Sequence, residues 1–233
     1  LEIKFYDGNY SFTYKQDIVD YISHNHNDII FIGFYLALLQ IKDFIEIVRN
    51  IKSLNINIPI VIGGPFPSAF PSLVMKSDMV DVCCVGDGVK VSQDIAYNLS
   101  HNKPLDNIHN LNFRSGDTIV TNPKGQRDDL NEFNKIFYED FIDIETYVNK
   151  FSVYLPRAYD SSIKRAIPIL TGLGCSYKCA FCENALLKHN HISLPAEHII
   201  DQVEYYRNKF NIDSFSFFDE DFFIDKARLF KLL

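Results

Sequence analysis

The chain has 233 residues, 47% of them apolar, which suffices for one large hydrophobic core or two small ones. Its net charge is −7, with no Lys/Arg run, which argues against a nucleic-acid binder, since that needs a basic face. The longest apolar stretch, residues 29–39, is broken by Gly33 and falls far short of the roughly 18–20 residues a membrane-spanning helix needs.

The first hundred residues alternate strand and helix patterns. Residues 3–6 alternate apolar and polar and predict a short strand, and 17–23 predict a helix. Residues 28–34 form a nearly continuous apolar run, as expected of a strand buried on both faces. Ile41, Phe44, Ile45 and Val48 follow at i, i+3, i+4, i+7 and predict a helix with one apolar face. Residues 59–62 predict a second buried strand, closed by Gly63-Gly64-Pro65, and 68–76 a helix. Residues 81–85 predict a third strand, ending at Gly86-Asp87-Gly88, and 89–99 a helix. Repeated βα units imply a doubly wound, Rossmann-like parallel sheet, whose ligands bind beyond the carboxyl ends of the strands. Gly33, Gly63, Gly64, Gly86 and Gly88 are all expected at those ends. Cys83 and Cys84 lie within the third strand, on opposite faces, as small hydrophobes.

Residues 111–120 predict a hairpin turning at Ser115-Gly116-Asp117. Residues 125–156 are polar and aromatic with weak periodicity and read as a linker packed between domains. A second βα pattern begins near Arg165. Residues 166–170 predict a strand, a cysteine-bearing loop follows, and Pro195 suits the first turn of a helix. Ile199, Val203, Tyr206 and Phe210 give that helix one apolar face. Residues 214–218 predict the next strand, Asp219-Glu220-Asp221 an acidic turn, and 226–233 another helix. The pattern is the start of a β/α barrel. The chain opens on a strand pattern without Met and closes inside a helix pattern, which predicts a piece of a longer protein. Five cysteines without a leader-like opening predict reduced thiols in the cytoplasm.

Cys175, Cys179 and Cys182 stand in the run Gly174-Cys-Ser-Tyr-Lys-Cys-Ala-Phe-Cys182, a C-x3-C-x2-C spacing. Three soft ligands on one loop, with no fourth cysteine nearby, predict a metal centre with an open position. The loop follows a strand and precedes a helix, so the thiolates sit at the functional end of a β/α barrel. Structural zinc is the alternative, with His189 or His191 as a fourth ligand.

The spacing, with Phe181 beside the last cysteine, resembles the signature of the radical S-adenosylmethionine superfamily. The resemblance implies that Cys175, Cys179 and Cys182 ligate a [4Fe–4S] cluster. Its fourth iron would bind the amino and carboxylate groups of S-adenosylmethionine, and one electron would cleave that cofactor to methionine and a 5′-deoxyadenosyl radical. It also implies that Asp219 or Glu220, after the second barrel strand, helps hold the amino group; an ammonium needs acceptors. Asp221 reads as a solvated turn residue.

Residues 58–65 and 81–88 resemble the cobalamin-binding domain that precedes many such barrels, where the Gly-Gly pair flanks the nucleotide tail of cobalamin. The expected organisation is then a cobalamin-binding-like α/β domain over 1–104, a hairpin and linker over 105–164, and the N-terminal part of a radical S-adenosylmethionine barrel over 165–233. The implied activity is cobalamin-assisted methyl transfer or radical rearrangement on an unknown substrate. A flavodoxin or ferredoxin would be the electron donor, and the fragment alone is expected to be inactive. A barrel whose N-terminal domain binds no cobalamin, and a non-enzymatic zinc module, are the alternatives.

Overall fold

The structure is a computed structural model and describes residues 2–8, 13–130, 137–151, 165–182, 184 and 191–232. It divides into two compact units, one of residues 11–128 and one of residues 1–10 with 129–233.

The unit of residues 11–128 is built on a five-stranded sheet in the order β1 (Ile32–Tyr35), β2 (Ile60–Gly63), β3 (Val82–Cys84), β4 (Leu111–Ser115), β5 (Thr118–Thr121). β1, β2 and β3 run parallel, whereas β4 and β5 are antiparallel. The helices are α1 (Tyr14–Asn25), α2 (Ile41–Ser53), α3 (Pro65–Ala69), α4 (Pro71–Val74) and α5 (Val89–Ser100).

Alternation along the strands splits the core. Ile60, Ile62 and Cys83 pack with Phe44 and Val48 of α2, Val74 of α4 and Met75. Val61, Val82 and Cys84 pack with Val91 and Ile95 of α5. Successive residues of a strand face opposite sides, so the sheet is covered on both faces, as the doubly wound reading requires. Cys83 and Cys84 are free and buried, one in each layer. Burial pushes both thiols up to about 12, which suits inert packing groups. Ile62 is fully enclosed. Ile62→Ala is expected to lower the unfolding free energy by roughly 2–5 kcal/mol in urea titration, because a core truncation leaves a cavity.

The structure departs from the sequence expectations at several elements. Residues 3–6 join no strand ladder among the described residues, and Ile3 and Phe5 are exposed. β1 is an edge strand rather than one buried on both faces: Gly33 and Tyr35 are exposed, and Gly33 lies inside the strand instead of at its end. The helix expected over 68–76 is two short ones. Phe70, the residue before Pro71, sits at φ −131°, ψ 51°, outside the helical region that a following proline disfavours. The hairpin expected beyond residue 104 pairs with β3 and belongs to the sheet, so the first unit runs to Asp128.

In the other unit β6 (Ala166–Ile169) pairs in parallel with β9 (Ser214–Phe217), joined by a crossover that contains α7 (Ala196–Phe210). β7 (Gly172–Leu173) pairs antiparallel with β8 (Ile192–Ser193), and α8 (Lys226–Leu232) follows β9. Ile167 of β6 packs against Tyr206 of α7 and against Ile144 and Val148 of α6 (Ile144–Phe151), a helix inside the stretch expected to be a linker. Tyr138 Oη donates to Pro168 O at 2.8 Å, and Tyr206 Oη accepts the Tyr138 N–H at 2.9 Å, so that stretch is bound to this unit. Pro195 is the N-cap of α7, one position before its first turn.

Candidate cofactor sites

At the carboxyl ends of β2 and β3 the two glycine turns have different jobs. Gly64 sits at φ +104°, a conformation nearly reserved for glycine. A Cβ there would meet Leu36 N at 3.0 Å, Leu36 O at 3.1 Å and the Tyr35 ring at 3.1 Å. The crowding is built by two bonds that close the β1 and β2 ends together: Leu36 N–H donates to Gly63 O (2.8 Å) and Phe66 N–H to Leu36 O (3.2 Å). Gly86, at φ +91°, donates its N–H to Ser68 Oγ (2.9 Å), and that hydroxyl donates to Gly64 O (2.7 Å). Ser68 therefore ties one glycine turn to the other. Gly63 has only an ordinary contact near its missing Cβ, and Gly88 has open space.

The loop between Gly86 and Gly88 is held from residues 127 and 128. Arg127 grips Asp87 with Nε at 2.8 Å and Nη2 at 3.0 Å. Asp128 Oδ2 accepts the N–H groups of Val89 (2.8 Å) and Lys90 (3.2 Å), capping α5 from 39 residues away. Asp128→Ala is expected to lower the stability of this unit by about 1 kcal/mol in denaturant unfolding, the usual cost of losing a cap.

The cysteine loop leaves β6 through Thr171, Gly172, Leu173 and Gly174, the last at φ +79°. Cys175 and Cys182 are half-buried and Cys179 is exposed; all three are free thiols. Cys182 N–H donates to Cys179 O at 3.0 Å, so these two residues share one turn. Among the described residues no three His, Cys, Asp or Glu side chains are drawn close enough to hold a metal ion. The donor set nevertheless fits an iron–sulfur cluster: three soft, solvent-reachable thiols on one short loop at the end of a parallel strand. Phe181 is 93% exposed. His189 lies outside the described residues, and His191 has a buried Nε2 with no hydrogen-bond partner.

The two carboxylates after β9 are engaged with that loop. Asp219, its side chain 1% exposed, accepts Thr171 N–H at 2.7 Å through Oδ1 and the Thr171 hydroxyl at 2.5 Å through Oδ2. Glu220 Oε2 accepts the Gly174 N–H at 3.0 Å. Asp221 Oδ1 accepts the N–H of Phe223 at 3.2 Å, a turn-residue role. Sequence reasoning passed over Thr171, Arg228, Ser68 and Asp128. A Thr opening the cysteine loop and a basic residue amid the apolar positions of α8 were the available signals for the first two.

Residues 2–96 match the family described as the B12 binding domain. The chain is 23% identical over 232 residues to an uncharacterized methyltransferase, PH0819, of Pyrococcus horikoshii, covering 97% of this chain and 47% of that protein. It therefore spans about half the length of the curated relative it matches. Among solved structures it superposes on the radical S-adenosylmethionine methyltransferase TsrM of Kitasatospora setae with a TM-score of 0.67, at 17% identity, over 94% of this chain and 43% of that one. TsrM has also been solved with cobalamin and a [4Fe–4S] cluster bound. The cobalamin-dependent S-adenosylmethionine radical enzyme OxsB, with aqua-cobalamin and S-adenosylmethionine bound, matches with a TM-score of 0.62, at 20% identity, over 90% of this chain and 28% of that one. Residues 2–96 thus resemble a B12 binding domain, and the chain shares its fold with TsrM and OxsB.

Proposed function

We propose that the chain is the cobalamin-binding and cluster-binding part of a radical S-adenosylmethionine enzyme that transfers a methyl group, with radical rearrangement as the second reaction class. The observation that carries this reading is the C-x3-C-x2-C loop at the carboxyl end of β6, in one chain with a B12-binding domain. When bound, a [4Fe–4S] cluster supplies the electron that cleaves S-adenosylmethionine to a 5′-deoxyadenosyl radical. Cys175, Cys179 and Cys182 would hold it as thiolates, leaving one iron for the cofactor.

The chain's own groups then divide the remaining work. Asp219 has both oxygens turned to Thr171 and fixes the loop. Glu220, exposed and anchored through Oε2, would be the carboxylate that accepts an ammonium. Phe181 offers an exposed aromatic face beside the last thiol. Gly63, Gly64, Gly86 and Gly88 keep side chains away from the strand ends, where backbone can approach a large planar ligand. The setting is cytoplasmic, with a flavodoxin or ferredoxin as electron donor. The chain covers about half the length of its curated relative, and the segment alone would be inactive.

The test is anaerobic reconstitution with iron and sulfide, followed by iron, zinc and cobalamin analysis per chain. Iron near four per chain with bound cobalamin is the expected result. Zinc without cluster absorbance overturns the reading, and a cluster without cobalamin leaves only its radical half.

A further inference from the structure

At the start of the cysteine loop lies a buried polar network that joins Asp219 to Thr171 and Arg228, two residues to which the sequence assigned no role. Arg228, from α8, is 4% exposed. Its Nη1 donates to Thr171 O at 2.9 Å and to Thr171 Oγ1 at 3.2 Å. Its Nη2 donates to Phe222 O at 3.0 Å and pairs with Asp219 Oδ2 at 3.4 Å. The Thr171 hydroxyl thus accepts from Arg228 and donates to Asp219. Thr171 itself is fully buried. The next residue, Gly172, has no room for a side chain: a Cβ would meet His191 Nε2 at 3.0 Å, Ile192 O at 3.1 Å and Asp219 Oδ2 at 3.2 Å. Glu220 then takes the N–H of Gly174. Each end of the four-residue lead into Cys175 is therefore fastened to the carboxyl end of β9, and Arg228 locks that fastening from the following helix.

We infer that Arg228 and Thr171 are positioning residues that set the Cys175 end of the metal loop before any cofactor binds. A buried guanidinium and carboxylate are costly to desolvate; here both Nη atoms of Arg228 are bonded, while its buried Nε has no hydrogen-bond partner. Arg228 divides its planar fork between Thr171, which opens the loop, and the carboxyl end of β9 at Asp219 and Phe222. The pair constrains Cys175 and leaves Cys179 and Cys182, farther along the loop, to adjust. The inference deepens the cluster reading but is tested without it.

In the metal-free wild-type chain, amide hydrogen exchange at Thr171 and Gly174 should be at least about tenfold slower than at residues 176–181. Exchange as fast as in the rest of the loop overturns the inference with no variant needed. Alkylation by iodoacetamide then compares thiols within one protein. Thr171→Val and Arg228→Lys should each raise the Cys175 rate about tenfold while the rate at exposed Cys179 stays put, and Thr171→Ser should restore the wild-type ratio. A Cys175-to-Cys179 ratio unchanged in folded Thr171→Val sinks the proposal. If Arg228→Lys does not fold, Thr171→Val and its serine rescue still decide it. Failure of the wild type to take up iron refutes the cluster reading alone, since exchange and alkylation are read without metal.

Discussion

Alanine at Cys175, at Cys179 or at Cys182 should each abolish retained iron after anaerobic reconstitution and desalting, with the visible cluster absorbance lost in parallel. The size of the effect follows from ligand count. Loss of an outer-sphere partner to a metal ligand already costs about 10–100-fold in affinity. Removing one of three thiolates is more severe, because two anchors leave the cluster open to solvent and oxygen. The control is built into the chain. Cys83 and Cys84 are buried, free, and pushed up to about 12 by burial, so Cys83→Ala and Cys84→Ala should retain wild-type iron. Full iron retention in all three loop variants contradicts the assignment. Equal loss in the strand variants would point to misfolding instead.

What was legible in the sequence follows from what is local. β2 and β3 announce themselves as short apolar runs because both faces of the sheet are covered, and α2 does so through its single apolar stripe. β1 was misread for the same local reason: its apolar run looks buried, but nothing in four residues says that the strand lies at the sheet edge. The break between α3 and α4 was visible at Pro71, and α6 was visible as Ile144, Tyr147, Val148 and Phe151 at helical spacing. The three cysteines were legible as a motif because their ligand chemistry needs short spacing. Arg228 was not, because it acts on Thr171, 57 residues away, and no periodicity reports such a pairing. Asp219 was expected as either a solvated turn or a cofactor ligand; its side chain is enclosed and turned to the loop.

The glycines show how sequence identity differs from structural need, and they carry the second large prediction. Gly64→Ala should destabilise the unit of residues 11–128 by about 3 kcal/mol or more, measured by urea unfolding. The backbone at φ +104°, ψ −174° is nearly glycine-only and costs roughly 1–3 kcal/mol for any other residue. The added methyl also meets Leu36 N and O, which cannot give way without loosening the bond from Leu36 N–H to Gly63 O. Gly88→Ala should be neutral to within about 0.5 kcal/mol, because Gly88 has φ −113° and nothing within 4 Å of its missing Cβ. That contrast separates fold from ligand. Gly64 is required by the protein itself, so its variant says little about cobalamin. Gly88 is not required by the fold, so any role it has lies with what approaches that strand end. Gly88→Ala should therefore keep its unfolding midpoint yet bind cobalamin about tenfold more weakly in equilibrium dialysis, as expected where a methyl intrudes on a close contact. Wild-type affinity in Gly88→Ala removes that residue from the binding surface, and wild-type stability in Gly64→Ala contradicts the turn geometry on which the strand-end site is built.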